Sequence, residues 1–298
     1  MTNLEEIKNQ FKPYRYTKKG NVTILESTSG NIVVKEKNKD LSGIFNYLKT
    51  RNFDYFPKMI NSDRLNANVF EYVEDISTIN PQKSEDLIKL VALLHSKTSF
   101  YKEVRNDQFQ EIFDNISNNI NYYKNYYNSY YELFLKSRYM SPSEYEFTRN
   151  YSKIYASLLF CEEELNNWYN LVKENNNERI SLIHNNLELN HYIRGEDKDY
   201  LISWDNATFD SPVLDLVHLY KKEFFNVEFS SLFKVYNNFN QLNESELKLF
   251  FIMISLPDEI DFSGTEFEIT KKMRLNLDYI FKTEEFLKPY YTKYEEKK

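Results

Sequence analysis

Ile183-His184-Asn185-Asn186-Leu187-Glu188-Leu189-Asn190-His191-Tyr192-Ile193 is the stretch on which the fold turns. It leaves an apolar run, crosses a polar loop holding two histidines, and re-enters an extended segment. Outward from it, the pattern predicts two short strands, His191–Arg194 and Tyr200–Trp204, joined through Gly195. The second leads through Leu201-Ile202-Ser203-Trp204-Asp205, and in an extended chain Ser203 and Asp205 point to one side. Beyond it, Asp210-Ser211-Pro212-Val213-Leu214-Asp215-Leu216 opens a helical region that runs to the end of the sequence, broken at Pro257. His184, Glu188 and His191 are metal-ligating residue types. Their spacing matches no strong zinc signature, and the chain has 4 histidines in all, so no metal is assigned to them.

Before this stretch the chain reads first as mixed β and α, then as helix. Val22–Glu26 and Asn31–Lys37 are β-branched runs joined by Ser27-Thr28-Ser29-Gly30, a hairpin signal. A helix is predicted over Leu41–Lys49 with Ile44, Phe45 and Leu48 on one face, and a short strand over Val69–Val73 before an acidic bend at Glu74-Asp75. Leu87, Leu90, Val91, Leu94 and His95 fall at helical spacing, and a Tyr-rich helix is expected from Phe109 to about Tyr131. Ser141-Pro142-Ser143-Glu144 combines an N-cap serine, proline at the first helical position and a glutamate three residues on. The helix it starts is expected to reach about Lys173, burying Ile154, Leu158, Cys161, Leu165 and Trp168. The tyrosines of 122–131 are read as packing their rings into that helical region.

The composition excludes several function classes. With 298 residues, 41% hydrophobic and 28% charged, the chain can bury a sizeable core. A net charge of −7 gives no global field for a phosphate backbone, so no nucleic-acid partner is expected. The longest apolar runs, such as Leu249 to Leu256, are too short to cross a bilayer, and the charged N-terminal Met1 to Phe11 has no signal core. No membrane partner is expected either. The single Cys161 cannot pair within the chain, which is compatible with a cytoplasmic location.

Three motifs in order carry a resemblance to a known family. Ile183 to Ile193 resembles the loop "H-[GN]-D-L-x-x-x-N" of small-molecule kinases, Leu201 to Asp205 their "L-I-D-[WF]-[DE]", and Asp210 to Leu216 the "D-P-x-x-D-L" that follows. The chain thus resembles aminoglycoside phosphotransferases, choline kinases and spore-coat CotS-like proteins. Looser matches extend the likeness upstream. Ile32-Val33-Val34-Lys35 is similar to the strand bearing the nucleotide lysine, Asn52 to Lys58 to the "G-F-x-x-I-P-K" of CotS-like sequences, and Leu90 to His95 to the "L-A-x-L-H" helix. The resemblance implies an α+β fold of the two-lobed, protein-kinase-like type. Residues 1–75 would form a small β-rich N-terminal lobe and residues 76–298 a large, mainly helical lobe with the catalytic-loop remnant.

The departures from the family pattern bear on chemistry. The loop aspartate that would take the acceptor's proton is Asn186, and an amide cannot accept that proton at neutral pH. The metal-ligating asparagine is His191, whose imidazole suits transition metals better than Mg²⁺. The principal metal aspartate is Ser203. Gly20 is the one glycine near the expected phosphate loop, and no acidic residue sits on the Leu41–Lys49 helix to pair with Lys35; Asp40 lies just before it. On this resemblance no catalytic residue is assigned, Asn186, His191 and Ser203 being altered. Lys35 and Asp205 are the cofactor-binding candidates, Asp205 also the one carboxylate placed to hold a cation, and His184 and Asp215 are structural braces of the loop. ATP and Mg²⁺ are the cofactors the family implies if the cleft is retained. The expected function is that of a pseudokinase, a non-catalytic module for a protein partner, spore-associated if the CotS-like likeness extends to location. Two other readings stay open: an active phosphotransferase using Lys35, Asp205 and His191, and a module that binds a small molecule without chemistry.

Overall fold

The structure, a computed structural model, describes residues 9–36, 39–60, 67–76, 78–105 and 107–295. Lys37, the expected end of the second hairpin strand, lies outside them. The chain divides into two compact units.

The first unit comprises Met1–Ser99, Ser181–His218 and Asn238–Asn240. Its sheet contains β1 (Arg15–Lys19), β2 (Val22–Glu26), β3 (Ile32–Glu36), β4 (Met59–Ile60) and β5 (Ala67–Glu71), antiparallel in the order β1-β2-β3-β5-β4. A two-residue turn, Gly20-Asn21, joins β1 to β2 with Lys19 opposite Val22. The Ser27–Gly30 hairpin forms as expected: Gly30 takes φ +118° and donates its N–H to the Ser27 carbonyl at 3.2 Å. Strand alternation gives the sheet two apolar faces. Leu25, Ile32, Val34 and Val69 are buried on one, with Phe11 and Ile60 packed against them. Cross-strand neighbours Ile24, Val33 and Phe70 line up on the other and remain half-buried.

Helix α1 (Ser42–Thr50) buries Phe45 and Leu48. It begins where Asp40 accepts the Ser42 N–H at 3.0 Å. It ends in a Schellman arrangement: Asn52, at φ 53°, donates to the Lys49 carbonyl, and the buried Phe53 donates to that of Leu48, both at 3.0 Å. Helix α2 (Asn80–Thr98) buries Leu87, Leu90, Val91, Leu94 and His95, the face expected of it.

The second unit comprises Phe100–Ile180, Leu219–Asn237 and Gln241–Lys298. It opens with strand β6 (Phe100–Glu103). Helices α3 (Gln108–Leu135) and α4 (Pro142–Val172) follow. The capping box of Ser141 and Glu144 is complete, and Glu266 adds contacts to the Ser143 N–H and hydroxyl. Tyr127 is fully buried, with Tyr123, Tyr126, Tyr130 and Tyr131 packed at its cluster. Cys161, Leu165 and Trp168 share another cluster. Strand β7 (Asn177–Ile183) carries the chain from this unit back to the first.

Short elements complete the site region: β8 (Tyr192–Arg194), β9 (Asp199–Leu201), β10 (Thr208–Asp210) and the start of helix α5 (Val213–Glu223). Helices α6 (Phe229–Phe239), α7 (Glu244–Ser255) and α8 (Glu266–Glu295) follow, so Pro257 stands between helices as expected. Two strand expectations shift. The strand expected at Val69–Val73 runs instead over Ala67–Glu71. The strand expected to Trp204 ends at Leu201, because Ser203 turns left-handed (φ 67°, ψ 47°) and Trp204–Asn206 forms a 3₁₀ turn. Ser203 and Asp205 therefore do not share one face of an extended strand. Among the described residues, no helix is long and apolar enough to cross a membrane.

Candidate functional site

The loop after β7 is built around one buried carboxylate. Asp215, in the first turn of α5, is fully buried and accepts the His184 N–H at 2.8 Å and the Asn185 N–H at 2.7 Å. Nε2 of His95, at the buried end of α2, lies 3.1 Å from the same carboxylate and donates to it. Burial pushes the Asp215 carboxyl up, but the hydrogen bond and charge of His95, with the His184 ring and N–H, outweigh that and hold it below the usual carboxylate range. The bonds to His184 and Asn185 need their N–H groups to converge on one point, and Asn185 does this at φ 55°, a conformation asparagine tolerates. His184, also buried, donates Nε2–H to the Ile202 carbonyl at 2.7 Å, tying the loop to the segment after β9. Burial holds its imidazole below the ordinary histidine value.

His191 faces inward on the same loop. Its Nδ1 lies 2.6 Å from the Asn186 carbonyl, which requires the proton on Nδ1, and Nε2 stands 3.7 Å from a Glu188 oxygen. Its own carbonyl accepts the Ile202 N–H at 2.9 Å. The ring therefore braces the loop backbone. In the sequence His95 ends an apolar helical face and the "L-A-x-L-H" match, with no role assigned to it; a histidine ending such a face is the signal for a buried polar partner.

Trp204 fixes the second segment. Its indole N–H donates to the Leu201 carbonyl at 2.8 Å, and its buried ring meets Phe45, Phe53 and Phe56 edge-on at 6.2–6.4 Å. With Trp204 anchored, Ser203 and Asp205 lie on either side of it in sequence, and Asp205 reaches Lys35 of β3 in an ion pair. The two cofactor-binding candidates thus engage each other, which their separate positions in the sequence did not indicate. Asp40, the acid just before helix α1, bonds Ser42.

A cavity of about 600 Å³ opens beside this pair. The apolar sheet row Val22, Ile24, Val33 and Phe70 lines it, together with Ile193, Ile202 and Trp204. Lys35, Ser203 and Asp205 lie at it, as do Lys19, Glu71, Asp75 and Asn190, which the motifs did not single out. The apolar row suits a flat ring. The donor set suits Mg²⁺ poorly: Ser203 is a neutral hydroxyl, His191 is an imidazole that does not line the cavity, and one oxygen of Asp205 already holds an ammonium group, which leaves Oδ1 as its single unpartnered acceptor. Among the described residues, no group of three or more His, Cys, Asp or Glu is arranged to hold a metal.

No protein-family model matches the sequence, and no curated protein is significantly similar to it. Solved structures do match. An aminoglycoside phosphotransferase from Alicyclobacillus acidocaldarius superposes with a TM-score of 0.66 at 11% identity, over 95% of this chain and 93% of that one. An AMP-bound spectinomycin phosphotransferase does so at 0.54 and 12%, over 97% and 94%. A glucosamine kinase matches at 0.50 and 10%, over 93% and 76%. The chain has the α+β, two-lobed kinase-like fold of the aminoglycoside phosphotransferases, with a β-sheet N-terminal region and a mostly helical remainder.

Proposed function

We propose that this chain is a pseudokinase of the aminoglycoside phosphotransferase fold: it keeps a ligand cavity but does not transfer phosphoryl groups, and acts as a binding or structural module. The Lys35–Asp205 ion pair carries the reading. Phosphoryl transfer requires a cation on the phosphates, oxygen ligands for a metal and a carboxylate at the acceptor. Here the cation and the one carboxylate beside Ser203 neutralise each other, and Asn186 stands in the acceptor position that the family motif gives to aspartate. Each missing electrostatic contribution can be worth ~3–4 kcal/mol in the transition state.

The test is Mg²⁺-dependent transfer from ATP to aminoglycosides, choline and other hydroxylated small molecules by the purified full chain. No transfer above the enzyme-free rate is expected. The second reading, an active phosphotransferase, draws on Asp205 being a carboxylate at the cavity. Turnover that disappears in both Lys35→Ala and Asp205→Ala would establish it and overturn the first.

A further inference from the structure

We propose that the cavity of the first unit binds uncharged, flat ring compounds without a metal, and binds them more tightly than their phosphorylated forms. This deepens the non-catalytic reading and rests on it. Three observations carry it. First, the sheet face made by Ile24, Val33 and Phe70 stays half-buried over a cavity of about 600 Å³, within the usual range for a small-molecule site. An apolar row in that state gains most from an apolar occupant. Second, the charge around the cavity does not favour anions: Lys35 and Asp205 pair with each other, Asp75 is exposed and pairs with Lys83, and Glu71 stands against Lys19. Lys19 is exposed, where solvent and salt screen it. Third, the turn from β1 to β2 is the two residues Gly20-Asn21, which leaves no run of backbone N–H groups to cradle a polyphosphate. A phosphate chain entering here would have to break the Lys35–Asp205 pair and leave Asp205 facing it.

A charge ladder on one ring tests this. Adenosine, AMP, ADP and ATP share a base and sugar but differ in charge, so calorimetry with each, in EDTA and then in Mg²⁺, isolates the charge effect. Affinity should fall along the series, adenosine binding at least ~10-fold more tightly than ATP. Asp205→Asn should release Lys35 and reverse the order; if that variant does not fold, Lys35→Gln, which leaves Asp205 without its cation, should steepen the fall from adenosine to ATP. Where any of the nucleotides binds, a flat or rising ladder in the unaltered chain overturns the proposal, as does binding that requires Mg²⁺. An uncharged naphthylamine dye provides a second probe. Its binding, lost in Val33→Asp, sustains the neutral-ring class even if adenosine is too polar to enter. Failure of both dye and adenosine to bind, or dye binding that survives Val33→Asp, sinks it. ATP binding tighter than adenosine without transfer removes this inference alone, whereas measured transfer removes the pseudokinase reading.

Discussion

Asp215 is a carboxylate held where water does not reach it, and the cost of placing it there is met by three donors. Asp215→Ala leaves two loop amides and a buried histidine without their acceptor. It should destabilise the fold by about 3–5 kcal/mol in urea melts, while Asn186→Ala, on a partly exposed residue, should cost under about 1 kcal/mol. Equal effects would remove Asp215 from its bracing role. The same cluster sets a pH dependence. The folded His184 takes up a proton less readily than the unfolded chain, whose ordinary value is 6.5. Its neutral form therefore stabilises the fold above about that pH, and stability falls as acid protonates the unfolded state, by at most ~1.4 kcal/mol per pH unit for one proton. The lowered Asp215 acts in the same direction further down: its contribution is complete above its ordinary 3.8 and is lost as pH falls through the folded value. Urea midpoints at pH 7.5 and 5.5 should separate more for the unaltered chain than for His184→Gln, which keeps a donor for the Ile202 carbonyl. An identical separation would mean that another group governs the acid limb.

Single elements show which parts of the sequence were readable. The β8–β9 hairpin needs Gly195 for space: a Cβ there would stand 2.7 Å from the Tyr200 ring and 2.8 Å from the Lys198 carbonyl. The ring can swing aside, but the carbonyl is backbone and accepts the Gly195 N–H at 3.0 Å. Gly195→Ala should thus cost about 1–3 kcal/mol, against about 1 for Ser141→Ala at the cap of α4. Urea midpoints of the two variants decide the order, and a neutral Gly195→Ala would mean that the hairpin yields. Signals of this local kind were legible: the Ser141–Glu144 box, the Ser27–Gly30 turn and the apolar face of α2 each depend on residues close in sequence. Strand β1 was not legible, because Arg15–Lys19 is a charged edge strand with almost every side chain in water and so shows no alternation. Strand β6 has all four residues exposed for the same lack of pattern. The motif around Asp205 gave the residues but not the geometry: the left-handed Ser203 and the ion pair to Lys35, 170 positions away, are set by tertiary packing around Trp204. Ser203→Asp suits that backbone, since aspartate enters the left-handed region more readily than serine.

Across the whole molecule, the chain passes from one compact unit to the other inside continuous elements, within β7 and within α5 among them. A unit whose strand or helix continues into the other cannot lose its order without fraying an element that both share, so the two should unfold together. The residues needed to see this are native. Trp204 belongs to the first unit and Trp168 to the second, as does Cys161, which is buried, lies 3.7 Å from the Ile252 carbonyl, and has its thiol pushed up to about 12 by burial. A thiol so placed is unreactive in the folded chain and becomes reactive only on opening. In a Trp168→Phe chain, whose fluorescence reports Trp204 alone, pulsed thiol labelling across a urea series should give the same midpoint as that fluorescence; labelling that completes at lower urea would show the second unit opening by itself. The ligand proposed for the first unit extends the test. Adenosine at 100 times its dissociation constant should add about 2.7 kcal/mol to the folded state. If unfolding is shared, that gain must also protect Cys161, in a unit that does not contain the cavity. Protection of Trp204 fluorescence without protection of Cys161 would break the coupling while leaving the binding intact.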